Sequence, residues 1–153
     1  MKHEAVEILL VEDNPSDVDL TLHALRYHKI ANRIHVARDG EEALDFMFCR
    51  GTHSHRSIDR PPRLILLDLK LPKVDGLEVL RQLKSDPRTR IIPVVILTSS
   101  KEERDVFTSY QTGVNSYIQK PVDFDQFCTT VKQLGLYWLL VNEPPPRNAA
   151  ASK

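Results

Sequence analysis

Residues 64–68, Leu64-Ile65-Leu66-Leu67-Asp68, follow Pro61-Pro62-Arg63 and lead toward a break at Pro72. Four aliphatic residues in succession predict a strand buried on both faces, as in a parallel sheet covered by helices. The run stops at a carboxylate. In an open parallel sheet the carboxyl ends of the strands border the functional crevice, so Asp68 stands where chemistry is expected.

Upstream, AVEILLV (residues 5–11) is a second apolar strand, and it ends in Glu12-Asp13-Asn14-Pro15. Pro15 can open a helix with Asn14 as its cap, and Val18, Leu22 and Leu25 carry helical spacing to about His28. Ile34 and Val36 alternate in a short strand at 33–37. Asp39-Gly40 then makes a turn, and Ala43, Leu44, Met47 and Phe48 form the apolar side of a second helix. GTHSHRSIDRPPR (51–63) has no period and predicts an exposed loop. Its His53, His55, Arg56 and Arg60 read as solvated side chains rather than a metal or anion patch. His23, His28 and His35 are scattered along the chain.

Downstream, Asp75-Gly76 introduces a helix lined by Leu77, Leu80 and Leu83, which ends at Ser85-Asp86-Pro87. PVVIL (93–97) is a further buried strand, handing over to Thr98-Ser99-Ser100. A helix over 102–112 stops at Gly113. A short strand at 116–119 meets Lys120-Pro121, and a last helix over 123–139 places Phe127, Val131, Leu134 and Trp138 on one face. The tail, 143–153, has too little apolar content to pack and is expected to be disordered, leaving a domain over 1–142.

Five strands alternating with five helices predict a doubly wound α/β fold with a five-stranded parallel sheet in the flavodoxin-like order 2-1-3-4-5. With 153 residues, 41% hydrophobic and 27% charged, the chain suits a single core. Lys plus Arg and Asp plus Glu balance at 21 each, so charge gives no reason to expect nucleic acid or an anionic membrane as partner. No apolar run approaches the roughly 20 residues of a spanning helix, and the first residues leave no room for a signal peptide; a soluble cytoplasmic protein is expected. Cys49 and Cys128 fall in apolar helical patterns and read as small buried hydrophobes, not ligands or disulfide partners.

The strand ends carry the chemistry. Glu12 and Asp13 follow the first strand, Asp68 the third, Thr98 the fourth and Lys120 the fifth. Strands one and three are neighbours in this order, so three carboxylates meet. Two unit charges at about 4 Å repel by about 4 kcal/mol at an effective dielectric near 20, so the cluster must recruit a cation or stay partly protonated. An all-oxygen donor set suits Mg²⁺, and the absence of His or thiolate at these ends argues against zinc. A hydroxyl, an ammonium and Mg²⁺ around one aspartate are the parts that neutralise a transferring phosphoryl group, with Asp68 as nucleophile.

VEDN (11–14), LLDLKLPKVDG (66–76), ILTSS (96–100) and YIQKP (117–121) together resemble the receiver domain of two-component response regulators, over residues 5–140. The resemblance implies a phosphoprotein of a phosphorelay, with Asp68 taking its phosphoryl group from a sensor histidine kinase. Glu12, Asp13, Asp68 and the backbone carbonyl of Lys70 would hold Mg²⁺. Thr98 would bond the phosphoryl group and Lys120 would pair with it, while small Ser99 leaves Asp68 accessible. Thr98 and Tyr117 would form the switch, and Lys120-Pro121 resembles the family's cis peptide. Lys70 and Ser100 occupy positions that tune the life of the acyl phosphate. Such a chain is not an enzyme acting on a separate substrate; it catalyses its own phosphorylation and dephosphorylation.

The 51–63 extension and the close LGLYWLLVNEPP are most similar to single-domain regulators paired with phytochrome kinases. A chemotaxis-type or other histidine kinase is the alternative partner. Output is expected from the domain's own surface, through a homodimer face that includes Val106, Tyr110 and Tyr117 and extends to the hard-to-bury Leu136, Leu139 and Leu140. A haloacid dehalogenase-type phosphatase would want a second acid where Lys70 stands, and an FMN-binding flavodoxin would be repelled by Glu12-Asp13. A phosphorylation-independent adaptor would not need the full set of groups.

Overall fold

Three strands in the middle of the sheet are buried at every residue: β1 (Ile8–Val11), β3 (Leu64–Asp68) and β4 (Val94–Thr98). The computed structural model describes residues 6–27, 33–108, 114 and 116–140. The outer strands are β2 (Ile34–Ala37) and β5 (Tyr117–Gln119), and all pairs are parallel in the order β2-β1-β3-β4-β5. The helices are α1 (Pro15–Tyr27), α2 (Gly40–Met47), α3 (Gly76–Ser85), α4 (Lys101–Thr108) and α5 (Phe124–Gln133). The expected five-strand, five-helix architecture and strand order are those observed.

Alternation along each strand feeds two cores. Leu64 and Leu66 pack with Val18 and Leu25 of α1 and Phe127 and Val131 of α5, while Ile65 and Leu67 pack with Phe46 of α2, Leu80 and Leu83 of α3 and Phe107 of α4. Each such side chain contributes about 1.5–3 kcal/mol relative to exposure, in keeping with a β3 that is apolar at every position before its last. The helices are started by side chains at the crevice end. Asp39 accepts the Glu42 N–H at 2.7 Å, Asp75 that of Glu78 at 3.0 Å, Asp123 that of Gln126 at 2.8 Å, and Asn14 that of Asp17 at 3.0 Å. A cap of this kind is worth about 1 kcal/mol.

Several expectations are corrected. The last helix does not run to residue 139: it ends at Gln133, and Gly135 takes φ +76°. The Leu136 N–H reaches back to the Val131 carbonyl at 2.9 Å and the Gly135 N–H to Lys132 at 3.0 Å, a glycine-dependent helix stop. The chain then folds a single 3₁₀ turn over Tyr137–Leu139 that buries Trp138 and Leu139, with Leu136 and Leu140 against the same core. Leu139 is therefore core, while Leu136 and Leu140 are partly buried at its edge.

Residues 51–63 are largely exposed, as expected, His55 and Arg60 among them, but His53 and Arg56 are drawn against the body of the domain rather than solvated. The segment opens with a 3₁₀ turn over Gly51–His53, and the Arg56 guanidinium lies 3.6 Å from the Phe46 ring centre and donates to the Phe46 carbonyl. Cys49 and Cys128 are free thiols, half-buried rather than core. Among the described residues no helix is long and apolar enough to cross a membrane. His28, Tyr110, Gly113 and the tail at 143–153 lie outside the described residues.

Candidate functional site at the strand ends

Register brings the polar strand ends together. Val11 stands beside Leu67, so Glu12 continues alongside Asp68, and Asp68 itself stands beside Leu97, one residue before Thr98. Thr98 pairs with Gln119, and its carbonyl accepts the Lys120 N–H at 2.7 Å. The Lys120-Pro121 peptide is cis. Glu12, Asp68 and Thr98 are all buried, whereas Asp13 is exposed at the rim.

Glu12, Asp13 and Asp68 each offer a carboxylate oxygen, all within 4.8 Å of one another. Lys120 Nζ sits 3.3 Å from Asp68 Oδ2, 3.2 Å from Glu12 Oε1 and 3.1 Å from Asp17 Oδ2. Burial, then the Asp68 charge, pushes the Glu12 carboxyl up to about 7. Burial alone would lower Lys120, but the charges of Asp68 and Glu12 and the hydrogen bonds to Asp17 and Glu12 outweigh it and hold the ammonium above the ordinary lysine range. One ammonium facing this many acids leaves excess negative charge, and the donors are all oxygen, so the site fits a hard divalent cation.

Two members were missed from the sequence. Asp17 lies in the first turn of α1, four residues after Asp13, where a helix starting at a strand end returns an acid to the crevice. Glu103 of α4 accepts the Ser99 N–H at 2.6 Å through Oε1 and faces Lys70 Nζ at 3.6 Å through Oε2. The exposed Lys70 side chain is therefore drawn toward α4, along a groove of about 800 Å³ bordered by Asp13, Leu69, Lys70, Ser100, Glu103 and Phe107.

Tyr117 is half-buried, edge-on to Phe107 with ring centres 6.3 Å apart. Its hydroxyl lies 2.9 Å from that of Thr108 and donates to the Val114 carbonyl at 3.3 Å. Val106 is 60% exposed, which places it on the surface rather than in the core.

A match to the response regulator receiver domain spans residues 8–132. The chain belongs to this family. Among curated proteins it is 44% identical over 139 residues to the probable methanogenesis regulatory protein FilR2 of Methanothrix harundinacea, covering 90% of this chain and 86% of that one. Among solved structures it is similar to the bacteriophytochrome response regulator AtBRR, with 52% identity, a TM-score of 0.84, and coverage of 92% and 100%. It is also similar to the Mn²⁺-bound response regulator Rcp1, with 38% identity, a TM-score of 0.69, and coverage of 94% and 100%. The phosphorylated cyanobacterial phytochrome response regulator RcpA gives 40%, 0.70, and the same coverage. As a receiver domain the chain is a two-component signalling protein, and its family implies phosphorylation by a kinase.

Proposed function

We propose that this chain accepts a phosphoryl group on Asp68 from the phosphohistidine of a sensor histidine kinase. The observation that carries the reading is the triple contact of Lys120 Nζ with Asp68, Glu12 and Asp17 at the ends of three strands and one helix. An Asp68 oxygen attacks phosphorus, an O–P bond forms, the N–P bond breaks, and the imidazole leaves with the electron pair. Lys120 moves from its carboxylates to the incoming phosphoryl oxygens, and the Thr98 hydroxyl bonds another of them.

Glu12, Asp13, Asp68 and the Lys70 carbonyl are the residues we assign to Mg²⁺, which when bound neutralises phosphoryl oxygens. The Mn²⁺ form of Rcp1 supports a divalent ion here. As Thr98 moves toward the phosphoryl group, it vacates space into which Tyr117 turns, exchanging its contacts with Thr108 and Val114 for burial. The turnover is the domain's own: the acyl phosphate is later hydrolysed at the same site, with Lys70 and Ser100 beside the path of water.

The likeness to AtBRR and RcpA supports a phytochrome as the kinase. Phosphotransfer from a panel of autophosphorylated kinases tests this: a phytochrome kinase should be preferred and its two light states should differ, whereas clear preference for a chemotaxis-type kinase would remove the assignment. We assign the homodimer face to α4, β5 and α5, with exposed Val106 and half-buried Tyr117 on it; Leu139 is buried and Leu136 and Leu140 are only partly exposed, so they contribute less, and Tyr110 lies outside the described residues. A monomer in sedimentation at high concentration, with and without a phosphoryl analogue, would sink it.

A further inference from the structure

On the outer strand β2, among residues given no part in Asp68 chemistry, three side chains from separate elements converge. His35 lies in β2, Glu42 in the first turn of α2, and His53 on the 3₁₀ turn of the 51–63 segment. His35 Nε2 is 3.5 Å and His53 Nε2 3.9 Å from the same oxygen, Glu42 Oε2. One ligand atom from each of the three residues lies within 4.8 Å of the others.

The geometry is held from outside. Glu42 Oε1 accepts the Arg38 N–H at 3.0 Å, which leaves Oε2 to face the imidazoles. The His35 ring stacks on Phe46 at 4.3 Å and 10°, and the His53 ring stands edge-on to both, 5.2 Å from His35 and 5.1 Å from Phe46. His53 is drawn in to 13% side-chain exposure although it sits on a connecting segment. His35 Nε2 is shut off from solvent and has no hydrogen-bond partner. Buried polar atoms are ordinarily satisfied, and Glu42 Oε2 at 3.5 Å faces this nitrogen without completing a well-formed hydrogen bond, so an ion between the two would satisfy both.

Tetrahedral zinc with bonds of about 2.0–2.1 Å to nitrogen and oxygen sets its ligands roughly 3.3–3.4 Å apart, so closing this cluster needs side-chain shifts of only a few tenths of an ångström to about one ångström. Two imidazoles and a carboxylate suit zinc and its transition-metal neighbours and not Mg²⁺. We propose that His35, Glu42 and His53 form a binding site for a transition-metal dication, with a fourth position open to water or an outside ligand. An ion there ties the 51–63 segment to β2 and α2. The site shares no residue with the Glu12-Asp13-Asp68 cluster, so it stands or fails apart from the phosphoacceptor reading.

The test is zinc titration of the full chain after chelator stripping, by calorimetry and by competition with a chromogenic chelator, with millimolar Mg²⁺ present to occupy the acidic cluster. Wild type should take up one Zn²⁺ saturably, and zinc-edge absorption should show two imidazoles. His53→Gln and Glu42→Gln should each weaken binding by more than the roughly tenfold that losing an outer-shell partner already costs, while His55→Gln leaves it unchanged. His53→Gln changes a connecting segment and Glu42→Gln a helix surface, so thermal melts of the two variants separate lost ligation from lost folding. No saturable uptake by wild type, or equal uptake by both variants, overturns the proposal.

Discussion

Lys120 Nζ and Asp68 Oδ2 stand 3.3 Å apart, and the same ammonium also meets Glu12 and Asp17. Its side chain is only 13% exposed, so this is an ion cluster shielded from water rather than a surface pair. Lys120→Met leaves buried acids without their cation. Breaking a buried pair from one side costs roughly 3–5 kcal/mol, and we expect a loss toward the lower end because Glu12 can take up a proton. Asp17→Asn removes an acid from a half-exposed position and should cost no more than about 1 kcal/mol. Urea melts of the two variants check the ordering, and added Mg²⁺ should restore much of the loss in Lys120→Met.

With Glu12 assigned to Mg²⁺, binding of the ion should depend on pH. Its carboxyl is pushed from 4.5 up to about 7 by burial and the Asp68 charge, so the folded apo protein holds a proton there that the unfolded chain has released. Apo stability from this group is therefore greatest at low pH and is lost as pH rises through about 7. Metal affinity runs the opposite way, because the ion competes with that proton. Calorimetry should show Mg²⁺ affinity climbing as pH rises toward about 7 and levelling above; a flat profile below about 7 would contradict the assignment of Glu12.

Two glycines should respond to alanine for different reasons. A Cβ on Gly76 would lie 2.4 Å from the Asp68 carbonyl oxygen and 2.7 Å from Leu69 Cα. Alanine gains up to about 1 kcal/mol of helix propensity at such a position, but the clash displaces the backbone that carries Asp68, at a cost of about 1–3 kcal/mol. Gly76→Ala should lower the melting temperature and slow labelling by a small-molecule phosphodonor.

A Cβ on Gly135 meets nothing within 4 Å, yet φ is +76°. Gly135→Ala should cost about 1–2 kcal/mol from backbone strain alone and leave labelling untouched. Parallel melts and labelling rates of the two variants separate these outcomes.

Much of this was legible in the chain because strand, helix and polar strand end are local signals. The buried runs at Leu64–Leu67 and Val94–Leu97 and the caps at Asn14, Asp39, Asp75 and Asp123 each announce themselves within a few residues. What failed to show was either masked by a stronger local pattern or decided by contacts between elements. The 123–139 periodicity hid the stop at Gly135, since Trp138 is buried with or without a continuous helix. The 51–63 segment has no period, and its order comes from Arg56 on Phe46 and His53 against His35. Asp17 and Glu103 joined the site only once α1 and α4 were placed against the strand ends.

The function proposed for this domain turns on Asp68 as the phosphoryl acceptor. Intact-mass measurement after incubation with acetyl phosphate and Mg²⁺ tests it directly. Wild type should gain one phosphoryl mass, with none gained without the metal and none by Asp68→Asn. Undiminished labelling of Asp68→Asn would contradict it and place the acceptor elsewhere.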